Sequence, residues 1–400
     1  MERFDFIIIG AGSAGRTAAE TLVEQAPSRS VLLINAEPGL PYKRTKVSKS
    51  VAFGYGADDF ALHDGDWYRE AGITLMSGEC VTAINAAERT ITVGGIPFVY
   101  GELLLATGSR PRIPFVNLPA GRWSTLWTSR DGLSLRSGVS GHRRAVIVGV
   151  GVLGVEAAWQ MVEMGLETTM VGRSDRPMAK FLDNDTAAIL RGKMESRGVQ
   201  LYLNHTVTDV CGDENGDDIV IYADEGSLKA DFAVLTAGCE PDVSLAKSSG
   251  INVGRGILVD GSLQTSVPGI WAAGDCAEHA GGYVSGLWHS AEHQGRWAAN
   301  SMLGVHTAYS PPPFRLKCEA FNGLWFSAGP VNAPVGKAGL EAAESWESGD
   351  ALWRPRFREG KLTALAGASE SPMEKAELKK IQGLLLEGAD REVCRRILTP

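Results

Sequence analysis

Phe6-Ile7-Ile8-Ile9-Gly10-Ala11-Gly12-Ser13-Ala14-Gly15, then an Ala-rich run, then Val31-Leu32-Leu33-Ile34-Asn35-Ala36-Glu37, is the stretch that decides the fold of this chain. The opening apolar run suits a strand, the glycines mark a tight turn, the Ala-rich run reads as a helix, and Val31 to Ile34 reads as a second strand. The three glycines have separate jobs. Gly10 permits the turn, Gly12 lets a pyrophosphate approach the backbone, and Gly15 lets helix and strand pack closely. Ser13 and Ala14 open the helix, so its unpaired N–H groups and positive dipole end face the phosphates. Asn35 and Glu37 stand about 20 residues further on, where a ribose hydroxyl needs an acceptor. The unit predicts a βαβ fold that holds a dinucleotide.

The rest of the chain bounds this reading. Its 400 residues exceed one ordinary core and suggest two or three domains. A hydrophobic content of 44% with 22% charged residues describes a globular protein. The 48 glycines are well above the usual ~7%, and nucleotide-binding turns explain part of the excess. A net charge of −8 and a pI near 5.5 give no basic footprint, so no nucleic-acid partner is expected. No apolar run approaches the ~20 residues of a membrane span. Met1-Glu2-Arg3-Phe4-Asp5 runs straight into the first strand without a signal-peptide core, which predicts a cytoplasmic location. Cys80, Cys211, Cys239, Cys276, Cys318 and Cys394 include no CxxC or CxxxxC pair, so neither a disulfide framework nor a sequence-local dithiol is expected.

A second unit repeats the first at domain scale. Ala145-Val146-Ile147-Val148 leads into Gly149-Val150-Gly151-Val152-Leu153-Gly154-Val155-Glu156, a helical stretch to Met164 and a strand from Thr168 to Val171. Two such folds in one chain imply two dinucleotides. Between them, Ile73 to Met76 and Thr90 to Val93 read as short strands, and Leu103-Leu104-Leu105 runs into Ala106-Thr107-Gly108. Arg110-Pro111-Arg112-Ile113-Pro114 reads as an extended linker. Phe232 to Leu235 followed by Thr236-Ala237-Gly238 forms a second strand-to-glycine exit, so residues 113–242 read as an insertion.

Pro41-Tyr42-Lys43-Arg44 and Ser48-Lys49, downstream of the first fingerprint, resemble the loop of the rubredoxin reductase and ferredoxin reductase branch of the pyridine-nucleotide disulfide oxidoreductase family. The resemblance covers nearly the whole chain. It implies an α/β fold of two Rossmann-like domains, glutathione reductase-like, with a small C-terminal α+β domain. The FAD-binding domain would be residues 1–112 and 243–308, the NAD(P)H-binding domain 113–242, and an interface domain 309–400. FAD is then expected at Gly10, Gly12, Ser13, Ala14 and Gly15, and NAD(P)H at Gly149, Gly151, Val152, Leu153 and Gly154. The resemblance places Arg44 near the FAD and Lys49 near the flavin ring. Ala106-Thr107-Gly108, with Arg110 beyond, resembles the element at which the family's chain leaves the FAD domain, and Gly238 closes its return. Gly269-Ile270-Trp271-Ala272-Ala273-Gly274-Asp275-Cys276-Ala277 resembles the late FAD motif, in which Asp275 would meet the ribityl chain beside Gly274. Cys276 reads as small buried filler. Trp288 matches a tryptophan lying beside the flavin, at the start of a helix whose positive end would stabilise the anionic reduced ring. Lys49 and Glu156 match an ion pair beside flavin N5; pairing would keep the lysine charged and favour the reduced flavin.

At the second strand end, NADH-preferring relatives usually carry an acidic residue. This chain has Gly172-Arg173-Ser174-Asp175-Arg176, and Arg173 and Arg176 suit a 2′-phosphate, so NADPH is expected over NADH. Disulfide-reducing members carry cysteine in the loop matching Pro41 to Lys49, and this loop has none. The resemblance therefore implies a reductase that takes hydride from NAD(P)H and passes electrons to a small carrier such as rubredoxin. Two other functions fit the same residues: an oxidase or diaphorase acting on oxygen, quinone or nitrogen-oxide systems, and a non-catalytic regulatory flavoprotein. A homodimer is compatible with the sequence. His289-Ser290-Ala291-Glu292-His293 matches an inverted zinc-protease pattern, but it supplies no third ligand and lies in the expected flavin helix, so no metal is expected. Further on, Trp353-Arg354-Pro355-Arg356-Phe357-Arg358 alternates with period two. As an edge strand it would put three arginines on one face, either simply solvated or available to dock an acidic carrier. Ser371-Pro372-Met373-Glu374 has the form of a capping box, and Ala389 to Leu398 reads as a last short helix.

Overall fold

The computed structural model describes residues 1–214 and 218–399. Residues 1–46, 56–111 and 239–312 form one unit; residues 47–55, 112–238 and those from 313 on form a second.

In the first unit the strand Glu2–Ile9 lies between Val31–Asn35 and Ile96–Leu105, parallel to both. Phe6, Ile7 and Ile8 have no exposed surface, as a parallel strand covered on both faces requires. The helix Ser13–Gln25 follows the glycine turn, and the helix Trp288–Met302 packs on it. A Cβ on Gly295 would stand 2.1 Å from the Ala14 carbonyl oxygen, so the two helices meet at backbone distance. On its other edge Ile96–Leu105 serves two further neighbours. Its first half pairs antiparallel with Thr90–Val93, which pairs with Val81–Asn85, while Leu103 to Leu105 pair parallel with Ile270–Ala272. Sequence reading recognised only the last three residues of this strand, because Pro97 and Gly101 interrupt the apolar pattern. Gly101 is there for a close approach: a Cβ would lie 2.5 Å from the Asp5 carbonyl oxygen. The linker expected at Arg110 is in part a strand, Ser109–Pro111, paired antiparallel with Cys239–Pro241.

In the second unit the parallel order is Gln200–Leu203, Glu167–Gly172, Arg144–Val148, Phe232–Leu235, Trp123–Ser124. Val152–Glu163 is the helix after the second glycine turn. The Asp231 carboxylate gathers the strand starts: it accepts the backbone N–H of Arg143 and Arg144, each at 2.9 Å, and Arg144 Nε at 3.0 Å. Burial alone would raise this carboxyl, but those bonds outweigh it and bring it to about 2. The same unit contains an antiparallel sheet ordered Arg315–Ala320, Gly323–Ala328, Lys361–Ser369, Ala351–Arg358, Trp346–Ser348, with helices Lys375–Leu386 and Arg391–Leu398.

Three expectations for this part need correction. Trp353, Pro355 and Phe357 are buried as the alternation requires, but the arginines do not form one free face. Arg354 pairs with Asp183 at 3.1 Å and Asp185 at 2.8 Å. Arg356 is buried and donates to the carbonyls of Glu341, Val331 and Ala333. A bulge at Arg356 and Phe357 turns the pattern, and of the three arginines Arg358 alone is exposed. Pro355 is not in the outermost strand. It lies beyond the short strand Trp346–Ser348, where its carbonyl accepts the Glu344 N–H at 3.0 Å; without an N–H it cannot return that bond, and the pairing with Trp346–Ser348 stops at Trp353. The capping box at Ser371 does not form: the helix begins at Lys375 without a side-chain cap, and Ser371 is held in a turn by Ser369. Among the described residues no helix is long and apolar enough to cross a membrane, and no two of the six cysteines form a disulfide.

Candidate functional site

The first fingerprint builds its cradle from backbone. Gly10 has φ +105°, and a Cβ there would sit 2.2 Å from the Ala106 carbonyl oxygen; a Cβ on Gly15 would sit 1.8 Å from the Gly10 oxygen. A Cβ on Gly12 would meet nothing within 4 Å, so the space before it is open. Gly12 also caps the helix and has no side chain to accept the first N–H groups, including those of Ser13 and Ala14. The helices that begin after Asp64, Thr128 and Asp183 have theirs taken by the cap side chain. Open space, free N–H groups and a positive helix end fit the pyrophosphate of FAD. Thr107, in the exit Ala106-Thr107-Gly108, donates to the Asp242 carbonyl at 2.7 Å. The Asp275 carboxylate, beside Gly274, accepts from Ser109 Oγ at 3.0 Å. Burial raises its pKa against the pull of Ser109 and Arg44. Glu37 accepts from Tyr42 Oη at 2.8 Å and pairs with Arg44, and Asn35 is buried beneath it. Arg110 is exposed and pairs with Glu240 at 2.9 Å.

The second fingerprint repeats the cradle in the other unit. Gly149 has φ +123° with a notional Cβ 2.4 Å from the Thr236 carbonyl, Gly154 packs on Gly149, and Gly151 faces open space. Val152 and Leu153 open the helix partly exposed, and Gly238 lies two residues beyond Thr236. At the end of Glu167–Gly172, the two arginines differ. Arg176 is engaged with Asp175 at 2.9 Å and Asn332 at 3.4 Å. Arg173 is exposed, with no ion-pair partner among the described residues.

Lys49 and Glu156 meet in the second unit. Lys49 Nζ lies 3.4 Å from Glu156 Oε1 and 3.9 Å from Glu319 Oε2, and Ser48 Oγ donates to Glu156 Oε2 at 2.5 Å. The backbone of this segment is clamped: Gln160 accepts the Ala52 N–H at 2.8 Å, and Arg136 donates to the Val51 carbonyl at 2.7 Å. Burial works against the Lys49 charge, but Glu156, Cys318 and Glu319 outweigh it and leave its pKa above that of a free lysine. Burial also lifts the Glu156 carboxyl, opposed by Lys49 and Ser48. The site thus holds a firm positive charge against a carboxylate whose ionisation depends on it. Ser48 belongs to the same Ser48-Lys49 motif as the lysine. Glu319 and the wholly buried Cys318 come from the strand Arg315–Ala320, and no motif ties them to position 49.

Trp288 is the first residue of its helix, half-buried, and its carbonyl accepts from Ser13 Oγ at 3.1 Å. His289 and His293 sit one turn apart, yet among the described residues no three His, Cys, Asp or Glu side chains are placed to hold a metal. Cys276 is buried and donates to the carbonyls of Leu105 and Ala273, each at 3.4 Å.

Two glycine turns of the dinucleotide-binding kind, each on a parallel sheet, give the chain the α/β architecture of an oxidoreductase that uses two nucleotides. Residues 4–295 match the pyridine nucleotide-disulphide oxidoreductase model, and the chain belongs to that family, whose members use FAD and NAD(P)H. It is 31% identical over 354 residues to the assimilatory nitrate reductase electron transfer subunit of Bacillus subtilis, covering 87% of this chain and 43% of that one. It is 34% identical over 307 residues to the ferredoxin reductase component of chlorobenzene dioxygenase from Cupriavidus sp. (strain PS12), covering 75% and 74%. Among solved structures, it resembles NADH:rubredoxin oxidoreductase from Clostridium acetobutylicum at 25% identity and a TM-score of 0.74, covering 97% and 96%. The chain spans 43% of the length of the Bacillus relative, less than half of it.

Proposed function

We propose that this chain is an NADPH-preferring flavoprotein reductase that delivers electrons to a small one-electron carrier of the rubredoxin or ferredoxin class. The observation that carries the reading is the ion pair between Lys49 and Glu156, with Lys49 closing a Pro41-to-Lys49 loop that contains no cysteine. Bound FAD would supply the redox chemistry, taking two electrons as hydride from the nicotinamide and releasing them singly. The chain's own work is positioning and electrostatics. The N–H groups after Gly12 and Gly151 bind pyrophosphate, and Asp275 and the exit at Thr107 hold the first nucleotide. Lys49, kept charged by Glu156, stabilises the negative charge that hydride brings. Arg173 binds the 2′-phosphate. The names of the relatives support a protein acceptor, although the rubredoxin enzyme is named for NADH; Arg173 in place of an acidic neighbour to Gly172 is the ground for NADPH here.

A second reading, an electron donor within a nitrogen-oxide-reducing system, is supported by the likeness to the nitrate reductase electron transfer subunit. Anaerobic stopped-flow mixing with NADPH and NADH, then with rubredoxin, a [2Fe–2S] ferredoxin or oxygen, tests the proposal. Fast bleaching by NADPH and rapid reoxidation by a carrier protein is the expected result. Reoxidation by oxygen alone would replace it with an oxidase, and failure of both nucleotides to bleach the flavin would refute it.

A further inference from the structure

The glutamate that a zinc site would have used in His289-Ser290-Ala291-Glu292-His293 has other neighbours. Its Oε1 accepts the Trp288 Nε1–H at 2.9 Å and stands 3.2 Å from Arg16 Nη2. Arg16 directly follows the third glycine of the first fingerprint, is buried, and also pairs with Glu20 one turn along its helix. Glu20 in turn meets His63 Nε2 at 2.6 Å. A buried guanidinium is costly unless its charge and donors are matched, so two carboxylates at Arg16 form a clamp. The planar guanidinium fork fixes the direction of Glu292. Glu292 then fixes the rotation of the indole, while Ser13 holds the Trp288 carbonyl at 3.1 Å. None of these side chains builds the pyrophosphate cradle, which is made of backbone. Glu292 bonds the Trp288 indole, and Arg16 and Glu20 stand behind it.

We propose that Glu292, clamped by Arg16, is the positioning residue that orients Trp288 for electron delivery from the flavin to a protein acceptor. This rests on the reading of Trp288 as a flavin contact. Three variants of the holoenzyme test it: Glu292→Ala, Trp288→Phe, and the double variant. In ¹H–¹⁵N spectra the Trp288 indole peak is identified by its loss in Trp288→Phe; in Glu292→Ala it should shift and exchange faster with water, with FAD content unchanged. Glu292→Ala should slow carrier reduction about tenfold more than it slows flavin reduction by the nicotinamide. Because Glu292 acts through Trp288, the double variant should be no slower than Trp288→Phe alone.

An unmoved indole peak, loss of FAD from Glu292→Ala, or effects that multiply in the double variant would each overturn the proposal. If the peak moves but Trp288→Phe leaves carrier reduction unchanged, the hydrogen bond stands and the flavin-contact reading falls, taking the delivery role with it. That outcome is distinct from a failure of the reductase assignment, which would appear in the wild-type protein.

Discussion

Replacing Lys49 by methionine and Glu156 by glutamine should have unequal consequences, because the two partners have unequal alternatives. At 3.4 Å and an effective dielectric near 20, their attraction is about 5 kcal/mol before desolvation. Glu156 has a side chain only 8% exposed, so Lys49→Met leaves a buried carboxylate without its cation. Breaking such a pair costs about 3 to 5 kcal/mol when the remaining group stays charged. Lys49 is 19% exposed and retains Glu319 at 3.9 Å, so Glu156→Gln should cost about 1 kcal/mol.

The pH dependence separates the two variants further. Burial already raises the Glu156 pKa, and removing Lys49 raises it again. A carboxyl with a raised folded-state pKa contributes stability below its unfolded pKa and loses it as pH climbs through the folded value. The Lys49→Met deficit should therefore be largest at pH 8 and smallest at pH 5, whereas that of Glu156→Gln, which removes the titrating carboxyl, should shrink as pH rises over the same range. The raised Lys49 pKa adds no slope in this window, since its stabilisation is lost only above the ordinary lysine range, about 10.4. Urea midpoints of the transition in the unit that holds the pair measure this, with anaerobic flavin reduction as the functional readout. There Lys49→Met should slow reduction about a hundredfold and Glu156→Gln about tenfold. Equal, pH-independent deficits in the two variants would refute the reasoning.

Other predictions follow from the same contacts. Arg173→Asp should lower kcat/KM for NADPH about thirtyfold, the equivalent of one charge-assisted phosphate contact of ~2 kcal/mol, while Arg176→Ala changes it less than about threefold; steady-state kinetics with both nucleotides checks this. Asp231→Asn should destabilise the second unit by roughly 2 kcal/mol at pH 7, because a shift from 3.8 to about 2 is worth ~1.4 kcal/mol per unit. In the wild type that contribution is present above pH 3.8 and is lost as pH falls through about 2, which acid unfolding will show. Gly151→Ala should fold and retain FAD but raise KM for the nicotinamide, since its Cβ enters open space where the pyrophosphate belongs. Gly154→Ala should fail to fold natively, its Cβ falling 2.2 Å from the Gly149 oxygen; circular dichroism and flavin content distinguish the two.

The glycine fingerprints were legible because their signal is local. A turn, a close approach and a helix start are set by neighbours in sequence, and both cradles appear where Gly10 and Gly149 predict them. The Lys49–Glu156 contact was legible only through family resemblance, since 107 residues separate them and no periodicity links them. The arginine stripe shows why charge on a strand is a weak guide. Arg354, Arg356 and Arg358 alternate as a docking face should, but a cation's role depends on what another element brings to it. Asp183 and Asp185 claim Arg354, and three carbonyls claim Arg356. The same limit hid Glu292: its sequence neighbours match a metal pattern that lacks a third ligand, and its partner Arg16 lies 276 residues away.

The two cradles follow one plan, so the plan alone cannot say which nucleotide each prefers. A pyrophosphate and the end of a helix interact in the same way in both. Discrimination must come from what ends the second strand of each unit. In the first, Glu37 is held by Tyr42 and Arg44, which keeps an acceptor, and not a free cation, at the strand end. In the second, Gly172 supplies no carboxylate, and Asp175 and Arg176 cancel one another as a pair at 2.9 Å. Arg173 is then, among the described residues, a charge at that strand end without an ion-pair partner. A 2′-phosphate would meet attraction there without a neighbouring carboxylate to repel it, so the nucleotide preference of the second cradle should turn on that one side chain.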